Sequence, residues 1–118
     1  MITERNSEVF LMTVNDIIKS MNLEIIHLGN GEAEISAPYC CDLLSVAMGN
    51  APAGCAWCTV MSNMNTLAVA SLADAACIIL CGNASVDDNM KLKAVSQDIN
   101  LLRTDRAIFD TALEVYQK

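Results

Sequence analysis

The order of apolar and polar positions predicts that regular structure begins near Thr13. Val14, Ile17, Ile18 and Met21 recur at helical spacing. Thr13 is a favourable N-cap for this helix, and Asp16 follows three residues later, where a carboxylate can reach back to the free backbone N–H groups. The same pattern then predicts a hairpin: a strand at 23–28, a turn at 29–31 and a return strand at 32–36 that Pro38 ends.

After residue 41 the pattern alternates between helices and strands. It predicts helices at 42–50, about 66–73, 86–97 and 105–116, and strands at 56–61, 77–81 and 99–102. Such alternation is typical of parallel strands joined by helical crossovers. The predicted fold is therefore α/β, with a mixed, mainly parallel sheet of four or five strands between helical layers.

The composition favours one folded domain with an aliphatic core. The chain has 118 residues, of which 53% are hydrophobic but only 4% aromatic, so Ala, Val, Leu, Ile, Met and Cys must fill the interior. Residues 1–11 precede the periodic pattern and are expected to be an N-terminal extension, with Met12 as an alternative natural start. The domain itself is predicted to cover 12–118.

The charge restricts the classes of partner. The net charge is −7 and the seven basic residues form no cluster, which disfavours nucleic acid and anionic membrane surfaces. The N-terminus lacks a signal-peptide run, and the most apolar stretch, Leu67 to Cys81, is too short to span a bilayer and contains Asp74. We expect a cytoplasmic protein whose six cysteines stay reduced.

The candidate ligand site is the polar segment 62–66, between a buried strand and the helix that follows it. Ligands of such sheets gather at the carboxyl ends of the strands, where helix N-termini present free N–H groups. The predicted binding residues are Ser62, Asn63, Asn65 and Thr66, together with Asp42 and Ser45 at the start of the preceding helix. The alternative, and commoner, use of such residues is that Ser62 or Asn65 simply caps the helix.

Four cysteines give an alternative of a different kind. Cys55 and Cys58 form a CxxC, and Cys40 and Cys41 could complete a four-sulfur site. Residues three apart in a strand point to opposite faces, however, so buried and inert thiols are the favoured interpretation, with no metal and no cofactor.

The remaining polar residues suggest no catalytic apparatus. His27 is the only histidine, with no acid or nucleophile beside it in the sequence. Asp74 ends a helix and is expected to cap it or to face solvent, and Asp87 with Asp88 suits a helix N-terminus. GxGxxG, Walker, GxSxG and HExxH motifs are absent from the sequence. We therefore predict a binding or regulatory module rather than an enzyme.

Two stretches together resemble the DRTGG domain. They are Asp42-Leu-Leu-Ser-Val-Ala-Met-Gly-Asn-Ala-Pro-Ala-Gly and the strand Ala56-Trp-Cys-Thr-Val-Met with its sequel Ser62-Asn-Met-Asn-Thr-Leu-Ala-Val-Ala, followed by a buried strand at Cys77. The resemblance runs from about Thr13 to the C-terminus. At the family's motif this chain reads Ser62-Asn-Met-Asn-Thr66, in which only the threonine matches.

The resemblance implies a fold like the N-terminal domain of HPr kinase/phosphorylase, a domain without that enzyme's kinase site. It also implies a regulatory role. We predict a non-catalytic, ligand-sensing domain that binds a small molecule, phosphorylated or not, or a partner enzyme, and that forms a homodimer to cover its apolar surface. The alternative is a cysteine-based metal or redox accessory protein of an iron–sulfur or hydrogenase system. A kinase is the third and least favoured hypothesis.

Overall fold

A computed structural model describes residues 12–118, which form five helices and five strands. The predicted extension at 1–11 lies outside the described residues. The helices are α1 Val14–Met21, α2 Leu44–Asn50, α3 Met64–Ala73, α4 Asp88–Gln97 and α5 Ile108–Gln117. The strands are β1 Glu24–His27, β2 Pro38–Cys40, β3 Ala56–Thr59, β4 Cys77–Leu80 and β5 Leu101–Arg103.

All five strands belong to one sheet in the order β1-β5-β4-β3-β2. Strands β2 to β5 are parallel to one another, and β1 pairs with β5 in the antiparallel sense. β3 and β4 are buried throughout, as expected of central strands covered on both faces. The predicted fold class, a mainly parallel mixed sheet between helical layers, is confirmed.

The two faces of the sheet carry separate hydrophobic cores. On one face α1 and α5 pack against alternate strand residues that include Cys58, Ile79 and Leu102. On the other face α2, α3 and α4 pack against the intervening residues, among them Trp57 and Ile78. All three crossover helices therefore lie on one side of the sheet, and the first and last helices cover the other.

The predicted hairpin is wrong. β1 pairs with β5 rather than with residues 32–36, and Glu34 makes only an isolated bridge with Thr13. The segment after the turn bonds to the start of α1 instead: Val14 N–H donates to Ala33 at 3.0 Å, and Ile35 N–H donates to Met12 at 2.8 Å. A turn does form after β1, but at residues 30–33, where the N–H of Ala33 donates to the carbonyl oxygen of Asn30 at 3.2 Å. β1 pairs with the nonlocal strand β5.

Local capping signals placed the first helix correctly. Thr13 Oγ1 accepts the N–H of Asp16, and the Asp16 carboxylate accepts the N–H of Thr13, which completes the predicted capping box. This exchange of hydrogen bonds lowers the pKa of Asp16.

Other boundaries differ from the prediction. Pro38 begins β2 rather than ending a strand, which proline tolerates because it is the first residue of an edge strand. α2 starts at Leu44, not Asp42, and α3 starts at Met64, not near Thr66. Within residues 12–118, no helix has both the length and the apolar character needed to cross a bilayer.

Candidate functional site

The predicted ligand residues do lie at the carboxyl edge of the sheet, where β2 and β3 end. Asp42, however, is not the cap of α2, because Leu43 occupies that position and makes no side-chain capping bond. The Asp42 carboxylate instead accepts the Thr59 hydroxyl at 2.6 Å and the Val60 N–H at 3.0 Å. It joins the ends of two neighbouring strands.

Two of the predicted hydroxyl groups hold loops together. Ser62 Oγ donates to the carbonyl oxygen of Ser85 and lies 3.3 Å from the sulfur of Met90, so the loops after β3 and β4 are connected. Thr66 is buried and donates to the carbonyl oxygen of Met61 at 2.9 Å. Both side chains already have protein partners.

The helix cap is Asn63, not Ser62 or Asn65. Its side-chain oxygen accepts the N–H groups of Asn65 at 2.9 Å and of Thr66 at 3.2 Å. Two of the free donors at the start of α3 are thereby satisfied. Asn65 and Ser45 are exposed. Of the six predicted ligand residues, these two contribute no side chain to the hydrogen bonds that build the edge.

The connectivity provides no topological switch point between β2 and β5 at this edge. A crevice forms where successive crossovers leave to opposite faces of the sheet. Here β2, β3, β4 and β5 follow in sequence, and their three connecting helices share one face. Residues 62–66 therefore do not lie at such a switch point.

A polar cavity that the sequence analysis missed lies at the same edge, where β1 begins and β5 ends. It has a volume of about 270 Å³ and is lined by Asn22, Glu24, Asn83, Arg103, Thr104 and Asp105. Arg103 binds Glu24 through two N–H···O contacts of 2.9 and 3.0 Å, and this pairing lowers the pKa of Glu24. Only the pairing of β1 with β5 brings these residues together, so no local pattern could have indicated the cavity.

A second cavity, of about 330 Å³, lies at the opposite edge, where β3, β4 and β5 begin. Three carboxylates line it: Glu34, Asp74 and Asp98. Asp74 and Asp98 are also the C-caps of α3 and α4, so the negative ends of two helix dipoles point toward it. This field favours cations and disfavours phosphorylated ligands.

The predicted cysteine set does not converge. Cys55 belongs to the core under α2, α3 and α4, whereas Cys58 belongs to the core under α1 and α5. The S–H of Cys41 donates a hydrogen bond to the carbonyl oxygen of Leu43, at a sulfur–oxygen distance of 3.3 Å. Among residues 12–118 no three His, Cys, Asp or Glu side chains form a group that could hold a metal ion.

The other polar residues that the sequence singled out have structural partners. His27 Nε2 lies 3.3 Å from Asp98 Oδ1, which links β1 to the end of α4. Asp74 is a C-cap, and Asp87 is the N-cap of α4, where it accepts the N–H of Met90 at 2.8 Å. Asp88 lies in the first turn of that helix, as predicted.

The protein is thus a mixed α/β domain with a polar carboxyl edge and a small cavity at each end of its sheet. Among solved structures it is similar to the CBS and DRTGG domains of the regulatory region of a Clostridium perfringens pyrophosphatase, crystallised with the activator diadenosine tetraphosphate. The TM-score is 0.67 at 12% identity, over 90% of this chain and 46% of that one.

This likeness is one of fold, and the chain spans a little under half of the length of the structure that it matches. No protein-family model matches the sequence, and neither does any curated protein. The comparison supports a fold related to that of a regulatory region. Membership of the DRTGG family itself stays a prediction.

Proposed function

We propose that this chain is a non-catalytic regulatory domain that binds a small phosphorylated molecule, or a partner enzyme, at the carboxyl edge of its sheet. The observation that carries the proposal is the fold likeness to a regulatory region over nine-tenths of the chain. That region was crystallised with an activator nucleotide, which makes polyphosphorylated nucleotides the first ligands to test here.

Electrostatics favour the carboxyl edge over the other cavity. The amino-edge cavity combines three carboxylates with two helix C-termini, which repel a phosphate. At the carboxyl edge, α3 presents its N-terminus, and the polar cavity there has two carboxylates, Glu24 and Asp105, of which Arg103 neutralises the first. Ser45 and Asn65 are the predicted residues left exposed for a ligand.

The test is thermal unfolding of the purified chain in the presence of ATP, ADP, inorganic phosphate and diadenosine tetraphosphate. A ligand at a hundred times its dissociation constant adds about 2.7 kcal/mol to the free energy of unfolding, which raises the Tm by several degrees. We expect at least one nucleotide to produce such a shift, and saturable binding by calorimetry. No shift with any of them would remove the phosphorylated-ligand proposal.

The site is tested by adding one negative charge there. Asn65→Asp places a carboxylate in the first turn of α3, where the helix dipole tolerates it while a phosphate is repelled. We expect weaker nucleotide binding with an unchanged or higher Tm. Gln97→Glu adds the same charge at the opposite edge and is the matched control. Equal loss in both variants would indicate a net-charge effect rather than a site.

We also propose that the chain forms a homodimer through the exposed face of α5. Phe109, Leu113 and Tyr116 are exposed at helical spacing on that helix, which with α1 covers one face of the sheet. Light scattering after size exclusion should give twice the 12.7 kDa mass of the chain, and Phe109→Asp should yield monomers. Leu92→Asp, on α4, is the control for general loss of apolar surface.

A further inference from the structure

Three cysteines form a row on one face of the sheet: two lie in the neighbouring strands β2 and β3, and the third follows directly after β4. Cys40 in β2 is the direct register partner of Cys58 in β3. Cys58 in turn pairs with Ile79 of β4, and Cys81 follows two residues later on the same face. Because paired residues of adjacent strands point to the same side, all three thiols face the layer formed by α1 and α5.

The row runs from solvent to the interior. Cys40 is exposed, whereas Cys58 and Cys81 are completely buried. Neighbouring strands lie about 4.8 Å apart, and a disulfide requires Cα atoms between about 4.4 and 6.8 Å apart. Directly paired cysteines therefore meet the backbone requirement for a cross-strand bond.

We propose that Cys40 and Cys58 form a dithiol site that reacts with low-molecular-weight disulfides. The exposed Cys40 sulfur attacks one sulfur of the disulfide RSSR, forms a mixed disulfide and releases the first RSH. Cys58 then attacks the Cys40 sulfur and breaks its bond to the remaining RS group, which takes up the Cys58 proton and leaves as the second RSH. The protein loses two thiol hydrogens, and one RSSR becomes two RSH.

Exposure supports the order of the two attacks, because a small disulfide can reach the exposed Cys40 but not the completely buried Cys58. In the reduced protein the S–H of Cys58 faces the carbonyl oxygen of Ala56 at 3.8 Å. Burial raises the pKa of Cys40.

The experiment uses the complete chain, reduced and then incubated with glutathione disulfide. The protein is unfolded in excess N-ethylmaleimide so that thiols cannot exchange, and its intact mass is measured. We expect two of the six thiols to be protected from maleimide, without bound glutathione, and to return on treatment with dithiothreitol.

Variants separate the proposed row from the other cysteines. Cys58→Ser should stop the reaction at one glutathione bound to Cys40, and Cys40→Ser should prevent protection altogether. Cys41→Ser is the matched control, because Cys41 adjoins Cys40 in sequence but packs against the core on the opposite face. Cys55→Ser is the control for Cys58→Ser, because it also removes a completely buried thiol. Both controls should still protect two thiols.

Several results would overturn the proposal. They are six free thiols in the parent protein, a lasting glutathione adduct on the parent, or protection that survives in Cys40→Ser or disappears in Cys41→Ser. If Cys58→Ser does not fold, as judged by far-UV circular dichroism, the exposed Cys40→Ser decides the question alone.

Discussion

The Asp42 carboxylate accepts the Thr59 hydroxyl at 2.6 Å, which joins the end of an edge strand to the end of the central strand beside it. Thr59 is completely buried, while Asp42 is exposed. The same carboxylate oxygen accepts the N–H of Val60 at 3.0 Å, so one side chain satisfies two donors at the edge where we place the ligand. Asp42 therefore shapes that edge, whatever binds there.

Thr59→Val should destabilise the protein by about 1.5 to 3 kcal/mol, the usual contribution of a hydrogen bond to a charged group. Asp42→Ala should cost a similar amount, and the double variant should cost less than the sum because each change removes the same bond. Urea unfolding followed by circular dichroism measures all three. Strictly additive losses would show that the two residues act independently.

Asn100→Leu should be among the most destabilising single changes. The buried Asn100 side chain accepts the N–H of Gly29 at 2.7 Å and donates to the carbonyl oxygens of Asn30 and Ala76 at 2.8 and 3.0 Å. Leucine has a similar size but leaves buried backbone groups unpaired, at a cost of about 2 to 4 kcal/mol. Asn50→Leu, at an exposed site, is the control and should change stability little.

Stability should fall on the alkaline side because of the buried thiols. Burial raises the pKa of Cys55 from 9.0 to about 11, so between these values the unfolded chain releases a proton that the folded chain keeps. The unfolded state then binds fewer protons, and stability decreases as the pH rises, by at most about 1.4 kcal/mol per pH unit for each such thiol. Urea midpoints under reducing conditions measure this slope.

Cys55→Ala should flatten that dependence, whereas Ser71→Ala, which removes no ionisable group, should leave it unchanged. Cys77 is buried as well, and burial also raises its pKa, so part of the slope should persist in the Cys55 variant. An identical slope in the parent protein and in Cys55→Ala would contradict the assignment.

Acid should weaken the link between β1 and β5. The hydrogen bonds from Arg103 hold the pKa of Glu24 below its ordinary value of 4.5, so the bound carboxylate stabilises the fold above that pH. This contribution is lost as the pH falls through the lower, folded-state pKa. Glu24→Gln should therefore be slightly less stable than the parent at neutral pH and equally stable in strong acid, with Glu34→Gln as the exposed control.

The prediction from sequence and the observed structure differ most clearly over residues 29–36. The turn predicted at 29–31 lies one residue before the observed turn at 30–33, and the strand predicted after it does not form, because that segment bonds to residues 12–15. The candidate site shows the same limit. Ser62 to Thr66 lies where predicted, yet the roles of Asp42, Ser62 and Thr66 depend on partners from other loops.

The sequence by itself determined the fold class, the order of most elements after residue 41 and the capping of α1, because these depend on periodicity and on contacts within a few residues. Only the tertiary structure decided that β1 joins β5, that the three crossover helices share one face, and that Cys40, Cys58 and Cys81 form a row. Each of those outcomes is a choice among nonlocal partners, and such choices depend on the packing free energy of the whole sheet rather than on any local pattern.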